Sequence, residues 1–147
     1  MSTVQDGLFQ YGGMPTGSAL GLFTPVGGGQ VFFIDPVNGS DGNSGFSLDQ
    51  SLETIGAAIS IASSNSQFLI MPGTCVETVT IPRTLSKLAF IGMGGSGACA
   101  IQPSVNHAGA VINHADDVTF MNLDFASEDD TSSVTFSSTG SRLRVIS

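Results

Sequence analysis

Positive charge is scarce in this chain. Its 147 residues hold 4 Lys+Arg against 12 Asp+Glu, a net charge of −8. Such a surface repels phosphate, so nucleic-acid binding lacks its main attractive term. Anionic membrane surfaces are disfavoured for the same reason. Charged residues of either sign make up 11%, against roughly 25% in ordinary soluble domains, and mean hydropathy is +0.28. That balance points to a surface that partly meets other subunits; the alternative is a neutral coat of Ser, Thr, Asn and Gly.

Other absences narrow the field. Trp is missing and Tyr11 is the sole tyrosine, so the aromatic platforms of sugar clefts are lacking. No stretch approaches the roughly 20 apolar residues of a membrane span. Residues 1–6 carry neither the basic start nor the apolar run of a secretory signal, which gives an expectation of synthesis in the cytoplasm. Two isolated cysteines, Cys75 and Cys99, are then expected as buried thiols. No second Cys or His lies at ligand spacing beside them, so neither a metal nor a cofactor is expected.

What is present divides into an arm and one domain. Residues 1–30 contain a single charge, Asp6, and eight glycines, with no sustained helical or strand period. Glycine raises the cost of ordering such a segment alone, yet it keeps Leu8, Phe9, Tyr11, Met14, Leu20, Leu22 and Phe23. The expectation is an extended docking arm whose apolar residues are buried on a neighbouring subunit. A plug folded over the chain's own domain is the alternative reading.

Residues 31–147 form the domain. A strand at 31–34 is stopped by Asp35-Pro36, and turn formers fill residues 35–45. Asp35, Asn38 and Asp41 do not match the alternating oxygen ligands of a calcium loop, so their side chains are expected to bond to loop backbone. A helix is expected near residues 49–63, with Leu52, Ile55, Ile59 and Ala62 on one apolar stripe and Ser47 or Asp49 as its cap.

Apolar runs then recur at 68–71, 88–91, 110–112 and 134–136, separated by 20, 22 and 24 residues. Secondary runs fall at 76–81, 98–101, 118–125 and 143–146, the third with a shift near Met121. Past residue 45 no hairpin signal appears, which argues against a sandwich. Two to three strands per turn of a stacked, parallel all-β solenoid fits the spacing.

Several of these stretches carry a resemblance. Asp35-Pro-Val-Asn-Gly-Ser-Asp-Gly-Asn-Ser-Gly45, Leu52-Glu-Thr-Ile-Gly-Ala-Ala-Ile59, Phe68-Leu-Ile-Met-Pro-Gly-Thr74, Glu77 and Phe90-Ile-Gly-Met-Gly94 resemble the opening of pectate-lyase-like right-handed parallel β-helix proteins, nearest to those of tailed-phage virions. The resemblance implies a short right-handed β-helix of about four rungs, with the helix covering its first end and a homo-oligomer, usually a trimer. It also implies a virion structural protein. The size suits a capsid decoration protein docked by its arm on the major capsid protein or another virion protein; a tail spike, fibre or baseplate part is the alternative. For function the fold alone decides little.

A carbohydrate-active protein is the reading from another class. Lyases of this fold use acidic calcium ligands and a basic residue, usually Arg, to take a proton. Arg83, Lys87, Arg142 and Arg144 do not sit beside such an acidic pattern, and surface or interface roles are expected for them. Glycoside hydrolysis needs two carboxyls about 5–9.5 Å apart. The candidates are Asp116, Asp117, Asp124, Glu128, Asp129 and Asp130, in a repeat too short for a long groove. His107 and His114 lack a third partner, and the glycines of 92–97 form a turn rather than a phosphate loop. No catalytic residue is assigned.

Overall fold

The computed structural model describes residues 29–105, 109–126 and 135–146. The docking residues Leu8, Phe9, Tyr11, Met14, Leu20, Leu22 and Phe23 lie outside them, as do His107, Glu128, Asp129 and Asp130.

The strands are β1 (Val31–Ile34), β2 (Gln67–Ile70), β3 (Gly73–Val76), β4 (Val79–Ile81), β5 (Ser86–Gly92), β6 (Cys99–Gln102), β7 (Gly109–Asn113), β8 (Asp116–Met121), β9 (Asp124–Phe125), β10 (Thr135–Ser138) and β11 (Leu143–Ile146). One helix, α1 (Ile55–Ile61), separates β1 from β2. Three sheets result, in the orders β1-β2-β5-β8-β11, β3-β6-β9 and β4-β7-β10. Every strand pair is parallel. The chain therefore visits the three sheets in turn and returns to the first, which we call the long sheet. The expected all-β, parallel arrangement is present.

The interior follows from that register. In-register parallel strands place equivalent side chains one strand spacing apart, about 4.8 Å. Phe32, Phe68, Phe90 and Phe120 occupy one inward column of the long sheet and are fully buried. Their rings stack at 5.5, 4.5 and 4.8 Å with interplanar angles of 15°, 7° and 13°. In the last complete circuit Phe120, Phe125 and Phe136, one from each sheet, meet edge to face at 5.3–5.5 Å. Both geometries suit the ring quadrupole. Ile34, Ile70, Cys75, Val79, Ile81, Ile101 and Val111 complete the core.

The structure corrects several boundaries. The expected helix at 49–63 is α1 alone, preceded by a single 3-10 turn at Leu48–Gln50. Leu52 is no helix residue: it forms a parallel bridge with Ile34 and is 1% exposed, because its backbone covers the outer edge of β1. The cap is Thr54, whose hydroxyl accepts from the Ala57 N–H at 3.1 Å. Ser47 makes no such bond.

Residues 76–81 are not one strand but β3 and β4 with a corner between them. The series 68, 88, 110, 134 mixes two sheets, since Ala110 lies in β7, which pairs with β4 and β10. Along the long sheet the repeats are Phe68 to Phe90, Phe90 to Phe120 and Phe120 to Val145. Turns of unequal length between the sheets make that spacing irregular. The expected shift near Met121 is a left-handed residue, Asn122, at φ 55°.

The folded body begins before β1. Gln30 already accepts from the Gln67 N–H at 2.8 Å, and a Cβ on Gly29 would lie 2.1 Å from the Asn65 carbonyl oxygen. Both residues belong to the folded body.

Candidate functional site

Each circuit enters the long sheet through a residue with positive φ: Asn65 (72°), Lys87 (58°), Asp117 (57°) and Arg142 (55°). They stand in register, because the residues after them pair strand to strand. Asn and Asp tolerate this conformation; Lys and Arg give up about 1 kcal/mol or more to adopt it. The shared corner stacks Lys87, Asp117 and Arg142 as alternating charges on the outside of the sheet.

A second polar column runs beside the first. The Ser86 N–H donates to Ser64 Oγ at 3.0 Å. Asp116 Oδ1 accepts from the Ser141 N–H and hydroxyl at 2.7 and 2.8 Å. Those two bonds, the backbone one first, hold the Asp116 carboxyl below the usual aspartate range. Arg142 grips both Asp117 oxygens, through Nε and through Nη2 at 2.6 Å. This bidentate contact lowers the Asp117 pKa, aided by the charges of Arg142, Lys87 and Arg144.

An open groove of about 420 Å³ lies along this face, lined by Gln67, Lys87, Ala89, Asp117, Thr119 and Arg144 among others. Its origin is the column Gln67, Ala89, Thr119, Arg144: two small side chains between two long ones. Thus Lys87, Arg142 and Arg144, three of the four Lys+Arg in the whole chain, gather on one face. Surface or interface roles were expected for each of these cations; that Lys87 joins the two arginines was not. The signal for that grouping was the recurring pair of polar residues before an apolar one at 86–88, 116–118 and 141–143.

The first circuit has a different chemistry. Asp35 Oδ1 accepts from the Val37 and Asn38 N–H groups, both at 3.0 Å, and the Asn38 bond is the main cause of its lowered pKa. Asp41 accepts from the Glu53 and Thr54 N–H groups at 2.9 and 2.8 Å and from the Thr54 hydroxyl at 2.8 Å. The expected role of these acids, bonding to loop backbone, is therefore observed. Glu77 reaches from the corner after β3 to the start of α1, accepting from Ile55 N–H at 2.7 Å and Gly56 N–H at 2.8 Å. Burial pushes its carboxyl above the usual range, against the lowering effect of those two bonds.

The remaining candidates among the described residues do not converge. His114 bonds Thr139 through Nδ1 at 2.8 Å. Asp124 stands exposed on β9, one sheet away from Asp116 and Asp117. Arg83 lies between β4 and β5 on an exposed turn. Cys75 and Cys99 are buried free thiols, as expected; burial drives the Cys75 pKa up to about 12, so it stays protonated and inert. Among the described residues no group of three or more His, Cys, Asp and Glu is placed to hold a metal ion. Among the described residues the chemistry on offer is charge pairing and hydrogen bonding.

No protein-family model and no curated protein matches the chain. Among solved structures it is similar to a GH136 lacto-N-biosidase from Eubacterium ramulus, at 14% identity and a TM-score of 0.50 over 80% of this chain. The chain spans 26% of that enzyme's length, and at this identity the likeness is one of fold.

Proposed function

We propose that the chain forms a short right-handed parallel β-helix of about four rungs and works by association rather than catalysis. Parallel crossovers within one sheet are right-handed in nearly all proteins. In this reading it is a structural protein of a phage virion: a capsid decoration protein that docks through the arm preceding residue 29 and assembles as a homo-oligomer, a trimer by resemblance. The observation that carries the association is the far side of the long sheet. Among the described residues nothing pairs with the outer edge of β11, where Val145 and Ile146 are 54% and 45% exposed. An open strand edge with apolar side chains invites a partner.

Light scattering on the purified chain tests this. The expected mass is near three times 15.0 kDa. Deleting residues 1–25 should leave that oligomer intact and abolish its binding to virus particles. A monomer that binds no particle would overturn the reading.

A carbohydrate-cleaving role draws on the fold likeness alone. Asp116 and Asp117, the acids nearest the groove, are already committed to Ser141 and Arg142. A tail-associated location shares the same physical basis as a head location and differs only in the partner bound.

A further inference from the structure

The two ends of the long sheet carry opposite charge and matching apolar surface. At the first end, the segment across the edge of β1 is fixed by Phe33 N–H donating to the Gly45 carbonyl at 2.7 Å and Leu52 N–H donating to the Phe33 carbonyl at 2.9 Å. It holds Phe46 and Leu48 at 53% and 60% exposure, beside exposed Asp49 and Glu53. From residue 29 to 82 the sequence contains five acids and no Lys or Arg. At the other end, β11 exposes Val145 and Ile146 next to Arg144, with Lys87 and Arg142 on the same face. Among the described residues, four of the eight large apolar side chains most open to solvent fall in these two places.

We propose that the acidic segment at residues 46–53 of one copy docks on the basic β11 face of a second copy of this chain. The occupant follows from charge and surface together. The first end sets acids alone beside its apolar centre, while the second has three cations against Asp116 and Asp117, which are already bonded to Ser141 and Arg142. An apolar centre with a charged rim is the ordinary build of a protein interface, and complementary charge fixes register and excludes wrong partners. One end meeting a different end is a heterologous contact, the kind that closes into rings or runs on as filaments. The inference rests on the self-association proposed above and specifies its surfaces.

Charge reversal on the full-length chain tests it, read as mass against concentration. Lys87→Glu with Arg144→Glu should weaken association at least tenfold, and so should Asp49→Lys with Glu53→Lys. All four changes in one chain should restore it, since the pairing is then rebuilt with signs exchanged. Circular dichroism checks that each variant folds; Arg142 is left alone because it holds Asp117. As a second probe, a photoreactive benzoylphenylalanine at position 48 should cross-link to the peptide containing residues 142–146 of another copy. If wild type associates but either reversal leaves its mass unchanged, or the fourfold variant stays dissociated, or the cross-link falls elsewhere, the docking surfaces are wrong while self-association stands. If wild type is a monomer at all concentrations, both ideas fall.

Discussion

The first and last strands of the long sheet face the same physical problem and meet it differently. Beyond β1 the chain crosses its own edge: Leu52 bridges Ile34, Asp41 holds the turn into α1, and Glu77 fastens the helix start. Ile55, Ala58 and Ile59 of α1 are then buried against the core. Beyond β11 no described residue does any of this, and Val145, which continues the inward column after Phe120, is more than half exposed. The same strand pairing thus has its outer edge crossed by the chain at β1 and, among the described residues, uncrossed at β11. The edge of β1 is closed by backbone, with Gly45 and Leu52 bonding to Phe33 and Asp35, and side chains such as Asp41 and Glu77 fasten that covering in place.

Substitutions can break this contrast, in falling order of effect. Leu52→Ala should be the most damaging, costing about 2–5 kcal/mol as for other fully buried leucines, read by urea unfolding. A loss under about 1 kcal/mol would mean the first end is not closed by this residue. Glu77→Ala should cost about 1–3 kcal/mol, because two N–H groups of α1 lose a charged acceptor; hydrogen exchange at Ile55 and Gly56 should rise with it. Val145→Ala in the monomeric form should stay within about 0.5 kcal/mol, as exposed positions do. A large loss there would show that the last strand is covered after all.

Arg142→Ala should have the smallest effect, visible chiefly in its pH dependence. Asp117 has a lowered pKa in the folded state, so its contribution is present above the unfolded aspartate value near 3.8 and fades as pH falls through the folded one. Wild type should therefore unfold at a higher temperature than the variant at neutral pH, and the two should converge in strong acid. A difference that persists in acid would point to packing of the Arg142 stem instead.

Legibility in the sequence followed the range of the forces involved. The turn chemistry of Asp35 and Asp41, the buried cysteines, the strand at 143–146 and the bend near Met121 all depend on local composition or on burial, and each was readable. The helix was drawn too long because Leu52 fits a helical stripe and an edge bridge equally well by spacing. The repeat was misassigned between sheets because an apolar run states that a strand is buried, not which wall it joins. Lys87 was not joined to the basic face because it lies far in sequence from Arg142 and Arg144.

By itself the sequence determined that the chain is built from short parallel strands with a helix near the start, since periodicity and the lack of hairpin turns are local properties. It also determined a negative, sparsely charged surface, because composition does not depend on folding. Only the tertiary structure decided which strands stack, that four phenylalanines form one column, and that Lys87 joins Arg142 and Arg144 on one face, interleaved with Asp117. Those outcomes depend on register, and register is set by packing across the whole coil rather than by any neighbouring pair of residues.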